Sequence, residues 1–420
     1  MINEDGMVEV DKASFSIEPA LEANDIVYNW SNVNSQQSLD FMIDKQKFPF
    51  TPNVALTAEG LRLDIGVTSY GEANTNSKLY ISYIISNTSE KRQEVKLHLL
   101  IRPFQVNPYY QFLNFEGGAS KLQTIEEVIK GNIIKADNKA ISFSKPYNSL
   151  SAFSFDVGNP YDLIRGRKLP GANNVVDAQR LAQAVITYTF SLEPGQKEGV
   201  YLCVPYYESQ NSFEQLTKEK AFEAFRAASD FWSGKINHIE FQLPQSARNI
   251  IDTWESNLYY ILVNRDIHGI QPGSRSYERS WIRDGSLTSS ALMKSGIIEE
   301  VKAFTDWYAG HQYENGKVPC VVDFRGPDPV PENDSHGQLI YLIKEYFNFT
   351  SDTTFLKSKN EYVLQAVSYI ESLINERSTD YYKYGNDSIR AHYGLVPESI
   401  SHEGYSEKPM HSYWDNFFII

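Results

Sequence analysis

A chain of 420 residues is long enough for two large cores, and 41% hydrophobic with 22% charged content is that of a globular protein rather than a disordered or fibrous one. A formal net charge of −14 argues against nucleic acid or an anionic membrane surface as partner, since both need clustered Lys and Arg. No apolar run approaches a membrane span, and Met1-Ile2-Asn3-Glu4-Asp5-Gly6 lacks the basic and apolar regions of a secretory signal, which leaves the cytoplasm as the default location.

From the N-terminus to about residue 240, apolar residues recur at every second position. Leu61-Arg62-Leu63-Asp64-Ile65-Gly66-Val67, Val95-Lys96-Leu97-His98-Leu99 and Ile186-Thr187-Tyr188-Thr189-Phe190-Ser191-Leu192 each bury one face and read as antiparallel strands. Turn-rich stretches at 69–76, 87–90 and 193–196 separate them, and many strands at such spacing predict a large β-sandwich. One helical insert is expected at Thr217 to Trp232, where Pro and Gly are absent. The two prolines of Arg102-Pro103-Phe104-Gln105-Val106-Asn107-Pro108 predict a structured loop. Cys203 and Cys320 are far apart in sequence, so they form no disulfide framework or metal cluster and are expected as free buried thiols.

At Pro244 the period changes. Ile250, Trp254, Leu258 and Ile261 predict one apolar helical face, with further helices expected at 287–294, 297–311, 337–349 and 355–375 and another starting near His411. Val301, Phe304 and Tyr308 form one such face, and Leu339, Ile343, Tyr346 and Phe347 another. The switch of period divides the chain into a β domain, 1–238, and a helical domain, 244–420. Links between the helices are alternately short and long. The long ones, 310–336 and 376–410, are full of Gly, Pro and charge, and loops of that length in a compact domain are usually functional. In a stack of helical pairs they open on the same end. The last residues, from Ser412 to Ile420, stop inside an apolar helix without a cap, which predicts a piece of a longer protein.

The chemistry concentrates at Ser280-Trp281-Ile282-Arg283-Asp284-Gly285, at the mouth of a predicted helix. Asp284 can accept from sugar hydroxyls, Arg283 can donate to them, and the indole of Trp281 offers a flat face to the C–H side of a ring. The plain alternative is a carboxylate satisfying helix N-terminal N–H groups beside a structural Arg. An aromatic content of 13%, with 27 Tyr and six Trp, exceeds what the core needs and suits a carbohydrate cleft. Glu332 and Asp334, with His336 and Gln338 after them, offer a second polar lining, or else an acidic cluster stabilised by the helix dipole. His402, Glu403, Glu407 and His411 have the residue types of a metal site, but their spacing matches no ligand set, so neither metal nor other cofactor is expected.

A β-sandwich followed by paired helices, with Trp281-Ile282-Arg283-Asp284 opening the second helix, resembles the six-hairpin glycosidases: glucoamylases, related glucosidases and rhamnosidases, and glycoside phosphorylases. The resemblance implies an α+β multidomain chain, an antiparallel β-supersandwich followed by an incomplete (α/α)₆ barrel of helical hairpins. Arg283 and Asp284 match the segment that holds the sugar before the scissile bond. Glu332-Asn333-Asp334-Ser335-His336-Gly337-Gln338 matches the polar loop that lines the pocket. Gly394 to Glu398, His402-Glu403-Gly404-Tyr405 and His411-Ser412-Tyr413-Trp414-Asp415 match the acid-bearing loop and the inner helix after it. Glucoamylases carry a Trp-Glu pair where this chain has His402-Glu403. The implied activity is inverting hydrolysis of an oligo- or polysaccharide, with Glu403 as general acid by its distance before Ser412, Glu398 as the alternative, and the base in a second barrel half. Trp281, Glu332, Asp334, His336, Gln338, His402 and Trp414 complete the implied sugar contacts. Phosphorolysis on the same fold and non-catalytic sugar binding are the competing readings.

Overall fold

The computed structural model describes residues 1–106, 118–207, 215–275, 277–400 and 409–419. The chain divides into two compact units, Met1–Gly234 and Lys235–Ile420. Among the described residues, no helix is long and apolar enough to cross a membrane.

The first unit is built on two antiparallel sheets. The larger has nine strands in the spatial order Asn174–Val176, Thr124–Ile129, Ile133–Ala136, Lys139–Phe143, Lys197–Pro205, Lys78–Asn87, Leu61–Tyr70, Asn53–Ala58, Asn34–Ser38. The smaller runs Val8–Glu9, Ser16–Ala23, Gln93–Arg102, Gln183–Leu192, Ser149–Phe153, with Ile26–Tyr28 paired to Ser16–Ala23. Alternation in the sequence becomes one shared core: Leu63, Ile65, Ile81, Tyr83 and Ile85 from the nine-stranded sheet pack with Val95, Leu97, Leu99, Ile101, Ile186 and Tyr188 from the other. Because side chains alternate across a strand, the opposite faces need covers of their own. Helix α1 (Pro160–Arg165) puts Tyr161 and Ile164 against Ala20, Leu100 and Val185 on the outer face of the six-stranded sheet. Helix α2 (Lys218–Ile236), the expected helical insert, lays Ala221 and Phe225 over Ile84, Tyr201 and Cys203 on the nine-stranded one. Of the proline-bearing loop at 102–108, the part beyond Val106 lies outside the described residues.

The second unit is helical: α3 (Arg248–Val263), α4 (Ile282–Lys294), α5 (Glu299–Ala309), α6 (Ser335–Thr350), α7 (Thr353–Arg377), the short α8 (Asp380–Lys383) and α9 (Asp387–Arg390), and α10 (Tyr413–Phe417). The face predicted for α3 holds in part: Leu258 is buried and Trp254 and Ile261 are half-buried. Ile251, Leu258, Tyr259 and Leu262 are buried, whereas Ile250 is 61% exposed. The faces predicted for the next helices hold, with Val301, Phe304, Tyr308, Leu339, Ile343 and Tyr346 all buried and Phe347 half-buried. The long link before α6 supplies Val321–Asp323 and Gly326–Pro327 to a small sheet whose third strand, Ser280–Trp281, lies just before α4; the sequence pattern did not reveal it. Its register pairs Trp281 with Val321 and pins the chain at the point where α4 begins. Cys203 and Cys320 are both buried and outside any disulfide.

Candidate active site

The N-termini of α4 and α6 bring their polar residues together. Arg283, in the first turn of α4, donates from Nη1 to Glu332 Oε2 at 2.8 Å and stands 3.7 Å from Asp334 Oδ2. Its Nη2 lies 3.9 Å from Asp284 Oδ2. Asp334 occupies the N-cap position of α6, yet its side chain makes no capping hydrogen bond. Instead Asp334 Oδ2 accepts from Trp414 Nε1 at 2.7 Å, which ties the start of α10 to the start of α6. This geometry answers the plain alternative: the Asp334 carboxylate is turned toward a guanidinium and an indole, not toward its own helix.

Three carboxylates surround one guanidinium, and burial gives the arrangement its electrostatic character. Burial pushes the Glu332 carboxyl up to about 7; Arg283 opposes that rise and Asp334 and Asp415 add to it. Burial also raises Asp284, opposed by Arg283 and helped by Asp334. Burial pulls the Arg283 guanidinium down, but Glu332, Asp334 and Asp284 outweigh it and hold it above its usual range. The groups differ sharply in access. Asp284 keeps 36% of its side chain exposed and Arg283 17%, whereas Glu332 keeps 5% and Asp334 none.

Gln338 and His336 sit behind this cluster. The single proton of the Ser286 hydroxyl is shared between Gln338 Oε1, 2.5 Å away, and the Arg283 carbonyl oxygen, 3.1 Å away. His336 Nδ1 accepts from the Val318 amide at 3.1 Å, its ring meets Tyr369 edge-on at 4.8 Å, and burial, then Lys317, pull its pKa down to about 3. Both side chains are buried, His336 at 1% and Gln338 at 0% exposure. Asp334 Oδ1, His336 Nε2 and Gln338 Nε2 are buried without a partner among the described residues. Trp281 is half-buried, and one side of its indole is occupied by the Arg279 guanidinium 5.3 Å from the ring centre. Arg279 in turn is fixed by Asp323 and Asp328, both at 2.8 Å.

Glu398 belongs to a different constellation. The segment around it is anchored beside the cluster, since Asn333 Nδ2 donates to the Pro397 carbonyl at 2.8 Å and the Ile400 amide to the Pro331 carbonyl at 3.1 Å. Its carboxylate, however, is paired with Arg377 and lies 3.2 Å from His411 Nε2. Its own backbone amide, and then Arg377 and His411, hold it below the usual carboxylate range, the reverse of what a proton donor needs near neutral pH. His402 and Glu403 lie outside the described residues. The structure therefore gathers Arg283, Asp284, Glu332, Asp334 and Trp414, with His336 and Gln338 packed behind. Sequence reasoning passed over Ser286, although its place three residues after Arg283 on one helix puts both on the same face. It also passed over Arg377, for which no local pattern gave a signal. The first unit has a cleft of its own, about 410 Å³, lined by residues including Glu18, Trp30, Arg102 and Tyr161; none of the expected site residues lines it.

No protein-family profile and no curated protein sequence matches the chain. Solved structures do. A bacterial glucoamylase determined in complex with acarbose superposes with a TM-score of 0.54 at 11% identity, over 89% of this chain and 63% of that one. A human-microbiome protein assigned as a kojibiose phosphorylase aligns at a TM-score of 0.44 and 10% identity, over 85% of this chain and 50% of that one. This chain thus spans less than two thirds of the length of either. The first likeness shows the fold: antiparallel sheets followed by a helical region, as in that glucoamylase.

Proposed function

We propose that this chain carries the sugar-binding part of an enzyme that cleaves glycosidic bonds by inverting general acid–base catalysis. The observation that supports this most is the posture of Arg283. Glu332 and Asp334 hold its guanidinium from the buried side, Trp414 holds Asp334, and Asp284 stands at the accessible edge. In this reading Asp284 and Arg283 touch the hydroxyls, while Glu332, Asp334 and Trp414 are positioning residues that keep the guanidinium from following solvent. The Trp281 indole, packed against the Tyr277 ring with centroids 6.0 Å apart, supplies the apolar half of the contact. Three carboxylates against one cation leave the site negative, which favours the positive charge that grows on the sugar ring in an oxocarbenium-like transition state.

The proton donor in this proposal is Glu403, on its sequence position before Ser412, because the pairing of Glu398 with Arg377 and His411 favours the ionised form. An inverting enzyme also needs a carboxylate roughly 6.5–9.5 Å from the acid to activate water. None of the residues described above is assigned that role.

Product analysis tests the reading. A full-length version of the enzyme that carries this chain is incubated with a panel of α- and β-linked disaccharides and oligosaccharides, with and without inorganic phosphate, and the first-formed anomer is read by proton NMR. Phosphate-independent release of the inverted anomer is the expected result. Turnover only with phosphate would transfer the site to phosphorolysis. Saturable sugar binding without turnover would reduce it to a binding module.

A further inference from the structure

We infer that His392, Glu398 and His411 form a binding site for a divalent transition-metal ion of the Zn²⁺ class. His392 Nδ1 and His411 Nε2 face each other 2.5 Å apart, and Glu398 Oε1 stands 3.2 Å from the same His411 nitrogen. The three donor atoms all lie within 4.8 Å of one another. Two imidazoles and one carboxylate are a recognised zinc ligand set, and they leave a coordination position for water.

The backbone explains why these three residues meet. Ser399 and Met410 form an antiparallel bridge, with reciprocal amide-to-carbonyl bonds of 3.1 and 2.9 Å. That register sets Glu398 and His411 directly across from each other, where side chains of an antiparallel pair are nearest. The Ser412 hydroxyl caps α10 immediately afterwards, so His411 is fixed from both sides. His392 arrives from the end of α9, and its ring lies against that of His411 with centroids 4.2 Å apart. Arg377 holds the other oxygen of Glu398 and also donates to the Tyr382 hydroxyl, the sort of outer contact that orients a ligating carboxylate.

Size and access agree with an ion of this kind. Tetrahedral Zn–N bonds of ~2.0–2.1 Å separate two donors by about 3.3 Å, so the two rings need part by only about 0.8 Å to admit the ion. The side chain of Glu398 is 37% exposed and that of His411 21%, which leaves a route from solvent. Binding at Nε2 puts the His411 proton on Nδ1, which is buried and has no acceptor among the described residues, a cost that the three metal bonds must exceed. The plain alternative, without an ion, is a hydrogen bond shared at His411 Nε2, whose single N–H lies between His392 Nδ1 and Glu398 Oε1. The inference does not rest on the sugar reading, because none of the three donors is hydrogen-bonded to Arg283 or Asp284. Its consequence is structural: the ion fastens the end of α9 and the limb at Glu398 to the start of α10, and so fixes the helix that carries Trp414.

Titration of the 420-residue protein, freed of metal by a chelator, tests it. Zn²⁺ is followed by calorimetry and Co²⁺ by its visible d–d absorption. One equivalent of Zn²⁺ is expected to bind, with intense Co²⁺ bands of four- or five-coordinate geometry. His392→Gln and Glu398→Gln are each expected to weaken binding by more than the ~10–100-fold that outer-shell changes cost. Stoichiometric binding left unchanged in both variants would place the ion elsewhere and overturn the site. A wild-type protein that gives only the weak bands of hexaaquo Co²⁺ would also overturn it, even if the variants do not fold, and would leave the shared hydrogen bond at His411 Nε2. Loss of sugar turnover with metal binding intact would bear on the sugar reading alone.

Discussion

Glu332 shows what a single buried carboxyl does to the whole protein. Its folded-state pKa of about 7 stands above the ordinary 4.5, because burial costs the charged form more than Arg283 returns. A raised pKa means that the folded state holds the proton more tightly than the unfolded one. The stabilisation is therefore complete below pH 4.5 and is lost as pH rises through 7, a change of roughly 3 kcal/mol for this one group. Urea unfolding of wild type and Glu332→Gln between pH 4 and 8 isolates it. The difference in stability between the two should fall steadily over ~4.5–7 and level off above; a difference independent of pH would mean that Glu332 titrates normally. The residue types of this cluster were legible in the sequence, and so was the closeness of Arg283 to Asp284. What could not be read was the division of labour. Burial, not residue type, separates the accessible Asp284 from the enclosed Asp334, and burial depends on the packing of helices remote in sequence.

At the scale of elements, two glycines set how closely the site helices approach their neighbours. A Cβ on Gly285 in α4 would stand 2.1 Å from Phe304 Cζ of α5, and one on Gly337 in α6 would stand 1.6 Å from the Phe418 carbonyl oxygen. Intrinsic helix propensity favours Ala over Gly by ~1 kcal/mol, so a stabilising effect would be expected if sterics were absent. The clashes reverse that sign. Gly285→Ala should destabilise by about 1–3 kcal/mol, read as a lowered unfolding midpoint. Gly337→Ala should do so as well and also weaken sugar binding, because it pushes on the residue just past α10 and hence on the Trp414–Asp334 bond. Unchanged stability in both variants would show that the helices do not pack this closely. Helix existence was plain from the three-and-four period, since Phe304, Tyr308, Leu339 and Ile343 all pack inward. The choice of Ile251 over Ile250 at the start of α3 was not, because the two are equally apolar and only tertiary contacts choose between them. The small sheet at Ser280, Val321 and Gly326 was hidden for a similar reason: strands of two or three residues are too short to show a period.

For the molecule as a whole, the change of period near Pro244 was the most informative feature of the sequence, because strands and helices impose different spacings on the same apolar residues. The β-sandwich core and the helical unit both follow from it. The function does not, since fold alone leaves hydrolysis, phosphorolysis and sugar binding open. The account stands on Asp284 and Arg283 being a sugar subsite, and calorimetric titration of the panel of sugars into wild type and Asp284→Ala tests that most directly. Saturable binding of at least one sugar by the wild type and a loss of roughly tenfold or more in the variant are expected, as for a deleted charge-assisted hydrogen bond. Equal affinity of variant and wild type, or no sugar bound by either, would contradict it.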